Sequence, residues 1–236
     1  MFKNLGKYMF MVELGFKYIT IFKKTFFHPF INYKSAYRAL SKHRQAYSNK
    51  VLEFLNIDVN LIGEVPQHNK VLYAINHRSL LDIIVMENIF YAHKKNGTWI
   101  AKQELFDNIF YGKFFQYSGC ISVDLESKKG LLSFFKSIKT VLTKVDDMNI
   151  YIFPEGERFK GAEIHRFQSG ASKIAKANGL EVIPVFIDDK LEKVFANAPY
   201  AERYTVDVYM GQAIDSEKLE EEYREFYKLV KKESNK

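Results

Sequence analysis

Cysteine is almost missing from this chain. The single Cys120 in 236 residues excludes an internal disulfide framework and any multi-cysteine zinc site. It reads as a small buried strand residue, and so thiol-poor a chain suits a reducing, cytoplasmic setting. Long apolar runs are missing too. The most apolar segment, Tyr8–Phe22, is interrupted by Glu13 and Lys17, and no run of about 18 uncharged apolar residues exists for a spanning helix. No small-residue cleavage site follows that segment, which argues against a secretory signal. Internal repeats and low-complexity linkers are also absent, so the length suits one domain of ordinary size with a small appended element.

Acidic residues are scarce only at one end. Residues 1–50 hold ten Lys or Arg and one acid, Glu13, so this segment carries +9 of a net +7 and the other 186 residues carry −2. A basic catalytic domain reading nucleic acid would not be built this way. A basic arm could be, but no recognition motif or helix-turn-helix pattern accompanies it, so no nucleic-acid partner is expected.

What is present begins with a 47% hydrophobic content, enough for a sizeable core. Lys3, Lys7, Lys23 and Lys24 flank Tyr8–Phe22, with Phe26, Phe27 and Phe30 beside them. That combination suits a helix lying in a membrane interface, basic groups at anionic headgroups. The His28-Pro29 step ends it, and a second helix is predicted over Tyr33–Leu55. The alternative is an amphipathic hairpin packed on the protein's own core; the charge asymmetry favours the membrane. Residues 1–55 are therefore read as a basic membrane-association segment and 56–236 as an α/β domain.

From Val59 onward short apolar runs alternate with helical stretches. Strands are predicted at Val59–Ile62, Val71–Ile75, Trp99–Ala101, Cys120–Val123, Ile150–Phe153, Val182–Ile187 and Val206–Met210. Helices are predicted at Leu80–His93, Gly130–Val145, Gly170–Ala177 and, as a charged amphipathic tail, Ser216–Lys232. The expectation is an α/β fold with a mixed, largely parallel sheet flanked by helices.

The stretch Asn76-His77-Arg78-Ser79-Leu80-Leu81-Asp82 follows the strand Val71–Ile75 directly, at the sheet edge where α/β sites usually lie. With His77 in the turn and Asp82 in the first helical turn, the carboxylate can reach the imidazole, fix its tautomer and leave the other nitrogen as a general base. Ser79-x-x-Asp82 is also a capping signature, which explains Ser79 but not His77. A second turn, Pro154-Glu155-Gly156-Glu157-Arg158, follows Ile150–Phe153. Arg158 is a planar donor suited to phosphate and Gly156 allows close backbone approach, although a tight turn with a surface ion pair has the same composition. His68 and His93 read as surface residues, and His77 with Asp82 lacks further ligands at metal spacing, so no metal is expected.

Taken in order, the HxxxxD turn, Gly119–Asp124, Phe153–Arg158 and Val182–Val185 resemble the glycerolipid acyltransferase family, nearest its bacterial 1-acylglycerol-3-phosphate acyltransferases. Ala101–Leu105 and Phe167-x-x-Gly170-Ala171 add smaller matches, and the resemblance covers about residues 58–190. It implies transfer of a fatty acyl group from a thioester to the sn-2 hydroxyl of 1-acyl-sn-glycerol 3-phosphate, giving phosphatidic acid. His77 would take the hydroxyl proton, Asp82 would orient His77, and Lys102 and Arg158 would hold the acceptor's phosphate. Glu155 and Gly156 would shape the acceptor pocket. Val182, Ile183, Pro184 and Val185 would help line the acyl-donor site. No cofactor, metal or acyl-enzyme is implied; acyl-CoA or acyl carrier protein is the co-substrate, and the cytoplasmic face of the membrane the working surface.

Two positions depart from the family pattern: Leu125, where Arg is usual, and Glu157, where Thr or Ser is. They keep other lysolipid acceptors open, such as a lyso-ornithine lipid or lysophospholipid. A non-catalytic lipid-binding module is the alternative from another class, disfavoured by intact His77 and Asp82.

Overall fold

Three buried strands set the middle of the molecule. The computed structural model describes residues 2–124, 127–159, 161, 163–188 and 190–234. In chain order these form α1 (Phe2–Phe26), α2 (Tyr33–Leu55), β1 (Ile57–Ile62), β2 (Val71–Ile75), α3 (Leu81–Ala92) and β3 (Asn96–Lys102). Then come α4 (Gln103–Asp107), α5 (Gly112–Tyr117), β4 (Ile121–Val123), α6 (Lys128–Lys144) and β5 (Met148–Ile152). The chain continues through α7 (Gly170–Asn178), β6 (Glu181–Ile187), α8 (Leu191–Asn197), β7 (Tyr204–Met210) and α9 (Leu219–Ser234). Every residue of β2 and β5 is buried, and β6 exposes only Glu181. Strands covered on both faces read as such runs, whereas β1 and β7 alternate.

The sheet order is β1-β7-β6-β2-β5-β3-β4. The five strands from β6 to β4 are parallel; β7 pairs antiparallel with β6 and parallel with β1. The expected mixed, largely parallel sheet is what forms. Ala74 of β2 stands opposite Ile152 of β5 and Pro184 of β6, so the carboxyl ends of these three strands lie level. One face packs on α1, α2 and α3 through Leu14, Phe22, Leu55, Val85 and Phe90; the other packs on α6, α7 and α9 through Ile138, Ile174 and Tyr223.

The short helices α4, α5 and α8, five to seven residues each, were not expected from the sequence. They are too brief to show a helical period. Among the described residues no helix is long and apolar enough to cross a membrane.

The N-terminal helices share the core of the α/β body. Leu14, Tyr18 and Phe22 of α1 are buried, and so are Leu40, Val51, Leu52 and Leu55 of α2. Asn32 caps α2 by accepting from Ser35 N, and Asn56 ends it in the left-handed region at φ 56°. This packing consumes part of the N-terminal charge. Lys7 is buried and donates to the carbonyls of Phe195, Ala196 and Ala198 at the end of α8. Lys34 and Arg38 pair with Asp146 and Asp147. Arg44 lies inside, donating through Nε to Glu87 Oε1 at 2.7 Å and through its terminal nitrogens to the carbonyls of Ser118 and Gly97. Four of the ten basic groups of residues 1–50 are thus engaged within the fold, so the +9 count overstates what could meet an anionic surface.

Glu87 Oε1 also accepts from Trp99 Nε1 at 2.9 Å, joining α2, α3 and β3 at one buried oxygen. Removing one partner of such a pair strands a charge, while removing both does not. Glu87→Leu should cost about 3–5 kcal/mol in urea unfolding. The double variant Arg44→Met/Glu87→Leu should be more stable than Glu87→Leu alone. A double variant at least as unstable as the single would show that the pair is not coupled.

Candidate active site

The turn after β2 is built around one carboxylate oxygen. Asp82 Oδ2 accepts from His77 Nδ1 at 2.8 Å, from Arg78 N at 2.6 Å and from Ser79 N at 2.9 Å. Asp82 sits in the first turn of α3 and is 1% exposed, against 14% for the His77 side chain. A carboxylate can only accept, so the imidazole proton is assigned to Nδ1 and Nε2 is left as the basic nitrogen. Nε2 has no protein partner among the described residues.

Only half of the capping signature forms, because the residue before the helix is Leu80, not Ser79, and no side chain caps it. Asp82 reaches back to the Ser79 N–H, and Ser79 Oγ accepts from Leu81 N at 3.2 Å rather than from Asp82 N. The first helical residue is Leu81. The dyad contact and the reach of Asp82 back to Ser79 N share one carboxylate oxygen, while Ser79 is not the N-cap.

Two further devices hold His77 in place. Asn76, fully buried, donates from Nδ2 to Ile187 O at 3.0 Å and accepts at Oδ1 from Ile187 N at 2.7 Å, locking the end of β2 to the end of β6. The His77 ring lies flat on Phe153, centroids 3.8 Å apart and planes 9° apart, and Phe153 lies on Trp99 at 5.1 Å. A flat aromatic floor restricts the imidazole's rotation and shields one of its faces from water. Expected as the last residue of a strand, Phe153 lies one residue beyond β5.

Glu155 is 1% exposed and binds backbone rather than lining an open pocket. Its Oε1 accepts from His77 N at 2.8 Å and its Oε2 from His165 N at 2.9 Å. Arg78 Nη1 lies 3.6 Å from the same carboxylate and donates to Phe159 O, while Nη2 donates to Glu163 O. Phe159 N donates to His77 O at 3.0 Å. Two turns from distant parts of the sequence are thereby stitched into one. Gly156 adopts φ +75°, and a Cβ there would stand 3.0 Å from Gln168 Cγ, so the turn requires glycine.

Arg158, one residue before Phe159, is exposed and has no carboxylate partner among the described residues. Lys102, the last residue of β3, is likewise exposed and unpaired among them. Lys102 stands at the same carboxyl edge, two strand positions from β2, roughly 10 Å at ordinary strand spacing. Glu157 lies 3.9 Å from His165 Nε2. Leu125 lies outside the described residues.

Val182, Ile183, Pro184 and Val185, expected to line a donor site, are buried within β6 between β2 and β7. Alternate residues of a central strand face the two packed layers, so none presents a surface to a ligand. Their contribution is to seat β2 and the turn that follows it. Asn76, Arg78 and Phe153 belong to the site although no role was read for them in the sequence. Their signal is their place inside the two motifs, one residue from His77 or just before Pro154-Glu155.

Glu155→Gln tests the stitching. An amide keeps one acceptor and turns its NH2 toward an N–H, which should cost about 1–3 kcal/mol. Hydrogen exchange at the His77 and His165 amides should accelerate relative to the central strands. Unchanged protection at both would remove Glu155 from this role.

Comparison with known proteins agrees with this architecture. The family profile described as Acyltransferase matches residues 56–188, more than half of the chain. A 1-acyl-sn-glycerol-3-phosphate acyltransferase of Helicobacter pylori is 40% identical over 129 residues, covering 54% of this chain and 52% of the relative. A probable 1-acyl-sn-glycerol-3-phosphate acyltransferase of Mycoplasma genitalium is 27% identical over 171 residues, 72% of this chain and 60% of the relative. The chain thus spans a little over half the length of the curated relatives it matches. The crystal structure of the 1-acyl-sn-glycerophosphate acyltransferase of Thermotoga maritima superposes with a TM-score of 0.68 at 20% identity. It covers 97% of this chain and 91% of that one, a likeness of fold. With the profile spanning both motif turns and the sheet between them, the chain belongs to the acyltransferase family.

Proposed function

We propose that this protein transfers a fatty acyl group from a thioester to the sn-2 hydroxyl of 1-acyl-sn-glycerol 3-phosphate, yielding phosphatidic acid. The observation that carries the reading is His77 Nδ1 held at 2.8 Å by a buried Asp82, with Nε2 left without a protein partner among the described residues. The names of the relatives support this acceptor.

In the proposed reaction, Nε2 takes the sn-2 hydroxyl proton as the oxygen attacks the thioester carbonyl. The tetrahedral intermediate collapses with loss of the thiolate, which recovers that proton from the imidazolium. Asp82 favours the imidazolium in between, through the Nδ1–H bond. No serine or cysteine nucleophile enters, so no acyl-enzyme forms. The thioester is already activated, and the site supplies orientation, a base and relief of developing charge. Arg158, with a planar fork, and Lys102, with a point charge, hold the acceptor's phosphate.

His77→Ala should lower kcat by about 10²–10⁴-fold with the fold retained, and Asp82→Asn should lower it less. Arg158→Ala should raise the KM for lysophosphatidic acid far more than for the donor, and Arg158→Lys should rescue only in part. Purified protein assayed with lysophosphatidic acid, other lysolipids and both donor types checks all of these. Near-wild-type turnover by His77→Ala would sink the mechanism. A stronger response to an unphosphorylated lysolipid would replace the acceptor.

The same reading assigns the enzyme to the cytoplasmic face of the membrane as a peripheral or monotopic protein. Leu5, Tyr8, Met9, Val12 and Phe16 form an exposed stripe at helical spacing along α1, opposite its buried residues. Phe26, Phe27 and Phe30 are exposed beyond it, with Lys17, Lys23 and Lys24 beside them. Contiguous exposed apolar surface of this kind suits burial at the headgroup boundary. With several basic groups engaged internally, the apolar term should dominate. Binding to phosphatidylglycerol-containing vesicles should survive high salt and fall roughly tenfold or more in Met9→Asp/Phe16→Asp. Unaltered sedimentation of that variant would remove α1 from the contact.

A further inference from the structure

A hydrogen bond fixes one point of a ring, not its plane. The Nδ1 bond to Asp82 Oδ2 leaves the His77 imidazole able to tilt about that contact, and a tilt swings Nε2 away from its target. The tilt is set instead by Phe153, stacked flat on the imidazole at 3.8 Å and 9°. Phe153 is only partly buried and has no polar atom in its side chain, so no hydrogen bond fixes its plane. Its neighbour does. Trp99 lies against the phenyl ring at 5.1 Å and 26°, and is itself 2% exposed.

Trp99 is held from two directions. In β3 it stands opposite Tyr151 of β5 and meets that ring edge-on at 5.2 Å and 61°. Tyr151 is in turn stacked flat on Phe90 of α3, 4.0 Å away at 6°. Gly97, two residues before Trp99, makes room for this column, since a Cβ there would collide with the Tyr151 ring. The indole is also pinned at its nitrogen: Nε1 donates to Glu87 Oε1 at 2.9 Å, and the same oxygen accepts from Arg44 Nε at 2.7 Å. Arg44 donates further to the carbonyl of Gly97, so the guanidinium also grips the strand that carries Trp99. An indole has a single N–H donor, and only one placement of the ring satisfies it here. A buried ion pair gains little stability over an apolar replacement, so stability does not account for this one. Orientation does.

We propose that Trp99 is a positioning residue for His77: its indole, pinned at Nε1 by Glu87, sets the plane of Phe153 and through it the tilt of the imidazole. This rests on the acyl-transfer reading above. Among the described residues the Trp99 side chain donates only to Glu87, and so its influence on His77 passes through ring contacts. Such a role acts on the reacting nitrogen and not on substrate binding, which separates kcat from KM.

The test uses the full chain, with lysophosphatidic acid as acceptor and palmitoyl-CoA and palmitoyl-acyl carrier protein as donors. Trp99→Leu removes both the ring and the N–H, whereas Trp99→Phe keeps a ring and loses only the N–H anchor. In Trp99→Leu kcat should fall about ten- to a hundredfold, and in Trp99→Phe less, with KM for both substrates within about twofold of wild type. In a His77→Ala background Trp99→Leu should cost little further, because the group it positions is gone. With isotopically labelled histidine, the His77 Nδ1–H proton should exchange with water about tenfold or more faster in Trp99→Leu than in wild type. If Trp99→Leu does not fold by circular dichroism, Trp99→Phe is read in the same way. Unchanged kcat with unchanged Nδ1–H exchange overturns the proposal. So does a KM rise that matches the loss of kcat, or an equal loss in the His77→Ala background, which would make Trp99 a residue of the fold alone. If the wild type transfers from neither donor, the acyl-transfer reading fails by itself and the imidazole signal decides the positioning. Faster Nδ1–H exchange then upholds the hold of Trp99 on His77, and unchanged exchange overturns it.

Discussion

Much of this structure converges on Asp82 Oδ2, an oxygen that gathers three N–H donors from Asp82's own chain neighbourhood. It closes the turn after β2, starts α3 and fixes the histidine in one motion. A buried carboxylate needs such compensation, because leaving it unpaired in a low-dielectric interior is costly. The order of residues from His77 to Asp82 follows from that need. The imidazole must precede the helix by enough chain to fold back on it, and the two intervening amides must point at the same oxygen.

The turn cannot stand alone, and the sheet explains why it does not have to. Parallel strands β2, β5 and β6 end level, so residues leaving each can bond across. Asn76 clasps Ile187, Glu155 clasps His77 and His165, and Phe153 lies under the imidazole. Behind them Trp99 ties the aromatic stack to Glu87 and, through it, to Arg44 on α2. The helix that looks peripheral in the sequence is therefore in mechanical continuity with the His77 ring. Burying an ion pair there gains little stability, and a hydrophobic replacement of both partners would serve as well energetically. What the pair supplies is one oxygen shared by three elements.

Charge is distributed by the same logic. Cations that meet internal carbonyls or carboxylates are spent on the fold, as with Lys7 at the carbonyls ending α8 and Arg38 beside Asp147. Others have no carboxylate partner among the described residues, Lys102 and Arg158 at the carboxyl edge and Lys129, Lys136 and Lys139 along α6 among them. On opposite sheet faces, α1 exposes apolar side chains and α6 exposes ammonium groups, so the molecule has two differently prepared surfaces.

By itself, the sequence determined the longer elements and the motif turns. Period-2 and fully apolar runs leave little freedom in where β2, β5 and β6 lie, and the HxxxxD and FPEGER stretches can only be turns at their ends. It also carried the family, since four ordered blocks survive without coordinates. It could not show that Glu155 serves the backbone of His77, because the partners are 78 residues apart and only the sheet register brings them together. Nor could it separate Val182–Val185 as strand interior from pocket wall, since a buried run reads the same in either place. Net charge misled in a similar way: summed by segment, the N-terminus is basic and the rest nearly neutral. Tertiary packing removes Lys7 and Arg44 from the surface and leaves the α6 lysines on it. A sequence lists charges, and only the fold decides which of them face one another.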